Sequence, residues 1–317
     1  MDPTSPRPRV RPAPPPARVR ATVATLPGGP AWLAELPALL ERLCAEWGLR
    51  PDRPFDGGSC SWTAPVTTAE GGRAVIKVPF PHREARGEAT GLRLWDGAGA
   101  VRLYRADEDS GALLIELCAP GDPLSDAGGR PEETLTAGAD TLRSLWEHAP
   151  GERPGLERID DVAAEWAPLL RERAHRHRGL LDGALAERAA GLLETLPATA
   201  ARRVVVHGDF NPGNVLRSRR APWLAIDPKP MSGDPCYDPW PLLMQVDPPL
   251  GAADPGRRLR SRLALVADVL GQPAERIAAW AFARSTESAY ELLDRGLGDA
   301  AEEEITAARA LARTAGV

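Results

Sequence analysis

Three observations predict an α+β fold in two lobes, a small N-terminal one on a mostly antiparallel sheet and a larger, mostly helical C-terminal one. The chain has 317 residues, enough for two separate cores. Between residues 61 and 117, short apolar runs come in the order strand, strand, helix, strand, strand. Beyond residue 130, leucine, alanine and tryptophan recur at helical spacing.

The first 30 residues are rich in proline and arginine without a hydrophobic period, and are expected to form a disordered tail. Residues 31–49 carry helical spacing interrupted at Pro37. Strands are expected at 61–68 and 73–78, joined by the turn Glu70-Gly71-Gly72. A helix should follow from about Arg83 to Trp95 and stop at Asp96-Gly97. The runs at 100–106 and 112–117 read as two more strands. The stretch Cys118-Ala119-Pro120-Gly121 is a natural hinge, so the expected divisions are 1–30, 31–118 and 119–317. In the second lobe, helices are expected over 132–148, 160–178 and 183–196. Residues 203–218 read as strand, loop, strand, residues 222–227 as a further strand, and the chain is helical again from about Arg257.

Composition excludes several function classes. With 43% hydrophobic and 26% charged residues the chain is an ordinary globular one. No run approaches the roughly 18 apolar residues of a membrane span. The N-terminus has no apolar stretch after its charges, so no secretory signal is expected and the cytoplasm is the expected location. Residues 1–20 hold five arginines and one aspartate, or +4, against −5 for the whole chain, which leaves −9 on the remainder. An acidic body disfavours nucleic acid and suits a cationic small-molecule substrate. No obligate protein partner is evident. Cys44, Cys60, Cys118 and Cys236 are too widely spaced for a CxxC pair or a zinc knuckle.

The chemistry concentrates in His207-Gly208-Asp209-Phe210-Asn211-Pro212-Gly213-Asn214, followed by Asp227. Gly208, Pro212 and Gly213 forbid a helix, so polar side chains emerge from a tight loop between apolar strands. Asp209 could accept the proton of a hydroxyl attacking phosphorus, and Asn214 and Asp227 offer the hard oxygen ligands that magnesium prefers. Phosphoryl transfer asks a protein mainly for alignment and charge neutralisation.

HGDxxxxN with a second aspartate 18 residues after the first resembles the catalytic and metal loops of the protein-kinase-like fold. Glycine after His207, where that fold often has arginine, looks like the aminoglycoside phosphotransferase branch. Three further stretches resemble the group holding streptomycin 6-phosphotransferases and hydroxyurea phosphotransferases: WLAELPALLERLCAEW (32–47), GLRLWDGAGAVRLYRADEDSGALLIE (91–116) and PWLAIDPKPMSGDPCYDPWPLL (222–243). The resemblance implies a two-lobed protein-kinase-like fold that uses ATP and Mg²⁺ to phosphorylate a hydroxyl of an aminoglycoside-like antibiotic, in the manner of a streptomycin 6-kinase, and so confers resistance. Hydroxyurea or another small metabolite is the alternative acceptor, and a catalytically silent binding protein is the rival from another class. Carried over by position, Asp209 is the catalytic base, Asn214 and Asp227 the metal ligands, and Lys77 the grip on the α/β-phosphates, oriented by Glu88. Glu116 and Cys118 fall where backbone would meet adenine.

Lys77 has independent support, because the 39 basic residues are 37 arginines and only two lysines, Lys77 and Lys229. A lysine kept in so arginine-rich a chain suggests a place where a compact ammonium does what a guanidinium cannot. Lys229, in Asp-Pro-Lys, has no role from sequence. Gly57-Gly58-Ser59 lies where a phosphate-covering loop would be, and Asp234 is expected to buttress the catalytic loop. Glu287, Glu291 and Asp294 form a stripe at i, i+4 and i+7. It reads either as the binding face for a guanidino substrate or as a solvated face paired with residues such as Arg295.

Overall fold

The computed structural model describes residues 12–316, and the chain divides into two compact units. The first runs to Gly97 and takes in Val101–Leu117; the second holds Ala98–Ala100 and the chain from Cys118 onward.

In the first unit, α1 (Ala17–Ala24) and α2 (Gly29–Trp47) precede β1 (Arg50–Pro51), β2 (Ser61–Thr67) and β3 (Arg73–Pro79). Then come α3 (Glu88–Trp95), β4 (Leu103–Asp107) and β5 (Ala112–Glu116). The strands form one antiparallel sheet ordered β1-β2-β3-β5-β4. Leu36, Leu40 and Leu43, spaced i, i+4 and i+7 on α2, pack in one core with Trp62, Ala64 and Val66 of β2 and Ala74, Ile76 and Val78 of β3. Each such leucine contributes roughly 1.5–3 kcal/mol relative to exposure. Alternation then sends Val75 and Lys77 to the opposite face of the central strand β3.

Several sequence expectations are corrected here. The expected tail over 1–30 lies outside the described residues for 1–11, but from Ala17 the chain is helical, and Val19 and Val23 are buried against Phe80. Two valines at i, i+4 are too few to register as a period in so arginine-rich a stretch. Pro37 sits inside α2 without ending it, because burial of the flanking leucines outweighs the lost backbone hydrogen bond. The helix expected from Arg83 begins at Glu88, after a 3-10 turn over Arg83–Gly87. The strand expected over 100–106 begins at Leu103, and Gly99 instead accepts the N–H of Ala225 at 2.8 Å in the second unit.

The second unit opens with β6 (Pro120–Pro123), α4 (Pro131–His148), β7 (Glu157–Arg158), α5 (Ile159–Arg176) and α6 (Gly183–Thr195). It continues with β8 (Val204–Val206), β9 (Val215–Ser218), β10 (Trp223–Ala225) and β11 (Met231–Gly233). Its last elements are the helices α7 (Trp240–Gln245), α8 (Pro255–Leu270), α9 (Ala274–Asp294) and α10 (Gly298–Ala315). The strands make two small sheets, β10-β9-β6 and β7-β11-β8. After β7 the chain crosses between these sheets twice more, from β8 to β9 through 207–214 and from β10 to β11 through 226–230. The two crossings are tied at both ends: Ile226 N–H donates to Asn214 O at 2.9 Å, and Lys229 N–H to His207 O at 2.8 Å. Among the described residues no helix is long and apolar enough to cross a membrane.

Candidate active site

The paired crossings decide which side chains of the second unit can meet. Gly208 has φ +84°, and a Cβ there would lie 2.0 Å from the carbonyl oxygen of Lys229, so only glycine allows the two segments to touch. Asp209 follows immediately, half-buried at the head of the turn. Its Oδ1 accepts from Asn211 Nδ2 at 3.1 Å, and its peptide oxygen from Asn214 Nδ2 at 3.0 Å. Asn211 Oδ1 in turn caps the 3-10 turn Pro212–Asn214 by accepting from the N–H groups of Gly213 and Asn214. With its Nδ2 directed at the Asp209 peptide, Asn214 presents its amide oxygen as an atom of the kind that can ligate a metal. Asp227, at the exit of β10, is exposed and adopts φ +55°, a left-handed conformation uncommon outside glycine. The bond between Ile226 and Asn214 holds its neighbour in place. One exposed carboxylate and one amide oxygen, both hard donors, are of the chemistry that would fit a Mg²⁺.

A buried scaffold holds the turn from behind. The Asp238 carboxylate, fully buried, accepts from the backbone N–H of His207 and of Gly208, each at 2.8 Å, and from Trp146 Nε1 at 3.1 Å. Burial raises its pKa against those donated bonds. His207 is also fully buried; its Nδ1 accepts from the Asp209 N–H, which assigns the ring proton to Nε2, facing the Ile226 carbonyl at 3.0 Å. Burial lowers the pKa of this imidazole, so it stays neutral and structural. Arg284 of α9 donates to the Tyr237 carbonyl at 2.7 Å and stacks on the Tyr237 and Trp240 rings, 3.8 and 4.7 Å from their centroids.

The buttress is therefore Asp238 and not Asp234, which the sequence suggested. Asp234 instead pairs with Arg276 and accepts from Trp280 Nε1 at 2.7 Å. Asp238 and Arg284 were missed because their partners lie about 30 and 47 residues away along the chain. The only available signal was an aspartate inside the apolar run Cys236 to Leu243.

In the first unit, the Lys77 ammonium lies 2.7 and 2.6 Å from the two carboxylate oxygens of Glu88, the first residue of α3, and both side chains are buried. Glu116 ends β5 and exchanges hydrogen bonds with Arg102, its N–H donating to the Arg102 carbonyl at 2.9 Å. Cys118 is buried, at the start of the long segment Cys118–Val317 of the second unit. Gly57 and Gly58 sit between β1 and β2, Gly58 at φ +89° with no atom near enough to meet a Cβ.

The acidic stripe on α9 faces arginines of the same unit. Glu287 is buried and accepts from Arg173 at 2.6 Å, and Asp294 accepts from Arg173, Arg176 and His177 at 3.1, 2.7 and 2.8 Å. Glu291 lies 3.8 Å from Arg295. Burial pushes the Glu287 carboxyl up to about 7, with Glu291 adding to the shift and Arg173 opposing it.

Comparisons with known proteins agree over most of the length. Residues 46–296 match the family described as aminoglycoside/hydroxyurea antibiotic resistance kinase. The chain is 33% identical over 288 residues to a streptomycin 6-kinase of Streptomyces glaucescens, covering 89% of this chain and 91% of the relative. It is 33% identical over 291 residues to a hydroxyurea phosphotransferase of Kitasatospora aureofaciens, covering 91% and 82%. Among solved structures, the choline kinase LicA of Streptococcus pneumoniae superposes with a TM-score of 0.62 at 16% identity, over 88% of this chain and 99% of the other. The macrolide 2'-phosphotransferase MphH of Brachybacterium faecium gives 0.52 at 18% identity, over 86% and 97%. These two share the fold, which is the two-lobed protein-kinase-like one.

Proposed function

Because the chain belongs to the aminoglycoside/hydroxyurea antibiotic resistance kinase family and is a small-molecule phosphotransferase, we propose that it transfers the γ-phosphoryl group of ATP to a hydroxyl of a streptomycin-like aminoglycoside and so inactivates it. The observation that carries this reading is the Asp209 carboxylate, presented at the head of a turn whose backbone is clamped from behind by Asp238.

Asp209 takes the proton of the acceptor hydroxyl as that oxygen attacks the γ-phosphorus in line with the departing ADP. Asn214 and Asp227 would hold Mg²⁺, which would supply positive charge to the phosphate oxygens. Lys77, oriented by Glu88, binds the α/β-phosphates, and the backbone at Glu116 and Cys118 meets the adenine. All five of these chemistry-bearing side chains, Lys77, Glu88, Asp209, Asn214 and Asp227, are of the type the reaction needs, which weighs against a catalytically silent binding protein.

A second acceptor class, hydroxyurea or a related small hydroxyl, is favoured by one observation. Glu287 and Asp294 already hold Arg173, so a cationic substrate would reach them only by displacing that guanidinium. Incubation with ATP, Mg²⁺ and a panel holding streptomycin, other aminoglycosides and hydroxyurea, read by mass spectrometry for a phosphorylated product, decides between them. Phosphorylation of streptomycin supports the reading. Absence of any phosphorylated product, with tight acceptor binding, would replace it with a binding role.

A further inference from the structure

Lys229 is the second of only two lysines among 39 basic residues, and its ammonium lies 3.3 Å from Asp209 Oδ2. Its backbone is fixed on all sides. Pro228 and Pro230 flank it, its N–H is bonded to His207 O, and its carbonyl packs on the Cα of Gly208. The side chain is 38% exposed and that of Asp209 30%, so an ion pair between them adds little to stability. A purely structural pair in this composition would be served better by arginine, whose fork binds a carboxylate through two parallel bonds. Lysine differs in being a point charge with three rotatable donors, able to serve a carboxylate and a second oxygen at once.

We infer that Lys229 is a catalytic residue whose ammonium binds the transferring γ-phosphoryl group beside Asp209, an inference that rests on the kinase reading above. A hydroxyl bonded to Asp209 and attacking phosphorus brings the phosphoryl oxygens within reach of a group 3.3 Å from that carboxylate. In the transfer, the acceptor O–H proton moves to Asp209 and the acceptor oxygen bonds to the γ-phosphorus. The bond from that phosphorus to the bridging oxygen breaks, and its electron pair leaves with ADP. Protonation removes the negative charge that held Lys229, and its positive charge passes to the phosphoryl oxygens as they develop charge.

The test compares wild type, K229M and K229R by calorimetric titration with Mg–ADP and with a β,γ-imido ATP analogue, alongside steady-state turnover. K229M should bind ADP as wild type does but lose about tenfold in analogue affinity, and kcat should fall about a hundredfold, as removal of one charge-stabilising donor does. K229R should recover part of both. An unchanged ratio of analogue to ADP affinity in K229M overturns the inference, even with kcat reduced, because it leaves Lys229 only positioning Asp209. Wild-type protein that binds neither nucleotide defeats the kinase reading itself, and this inference with it.

Discussion

Lys77 and Glu88 form a two-pronged ion pair, with the ammonium 2.7 and 2.6 Å from the two carboxylate oxygens and both side chains less than one-tenth exposed. Removing one partner leaves the other charged and buried, which costs about 3–5 kcal/mol. E88L and K77M should each lower the unfolding midpoint strongly in thermal denaturation. The double variant K77M/E88L should regain most of that stability and none of the phosphotransfer, separating the two roles of the pair.

Asp209→Asn keeps the shape of the side chain and removes its basicity. Turnover should fall by about 10²–10⁴-fold, the usual contribution of a positioned general base. Nucleotide affinity, measured by calorimetry, should stay within a few-fold of wild type. A variant that retains most of its turnover would take the base role away from Asp209.

Asp227→Asn replaces the carboxylate proposed to bind Mg²⁺ with a neutral amide. The expected outcome is a rightward shift in the Mg²⁺ concentration needed for tight nucleotide binding, followed by titrating the metal at fixed ADP. Metal-free nucleotide affinity should not change.

Glu287 has a pH signature. Its carboxyl is pushed from an ordinary 4.5 up to about 7, so the native state holds this proton where the unfolded chain has released it. The contribution to stability is therefore complete below about 4.5 and is lost as the pH rises to about 7, at most roughly 3 kcal/mol over that window. E287Q should flatten this part of the stability curve in urea denaturations run from pH 4.5 to 7.5. Parallel curves for wild type and E287Q would show that Arg173 holds the carboxylate ionised throughout.

Much of this was legible in the sequence, because its signals are local. The order of elements around Lys77 and the loop His207 to Asn214 are written in apolar alternation and in the placement of Gly208, Pro212 and Gly213. Asp238 was not legible, since its role exists only when β8 and the segment after β11 are brought together. The partners of Glu287 and Asp294, two arginines on α5 and His177 just after it, were hidden for the same reason, lying more than 100 residues upstream. Pro37 and the valines of α1 misled in the opposite direction, because local propensity yielded to burial.

The packing of α1 sets a practical limit on where this polypeptide can be trimmed. A version cut to the family-match boundary at residue 46 would lose α1 and nearly all of α2, stripping one wall from the sheet that carries Lys77. Even a cut at residue 31, which looks harmless on paper, would uncover Phe80 and strand the indole N–H of Trp62, now satisfied by the carbonyl of Ala13. From Ala13 onward the stretch that reads as a disordered tail lines the smaller lobe, and expression clones should begin ahead of it.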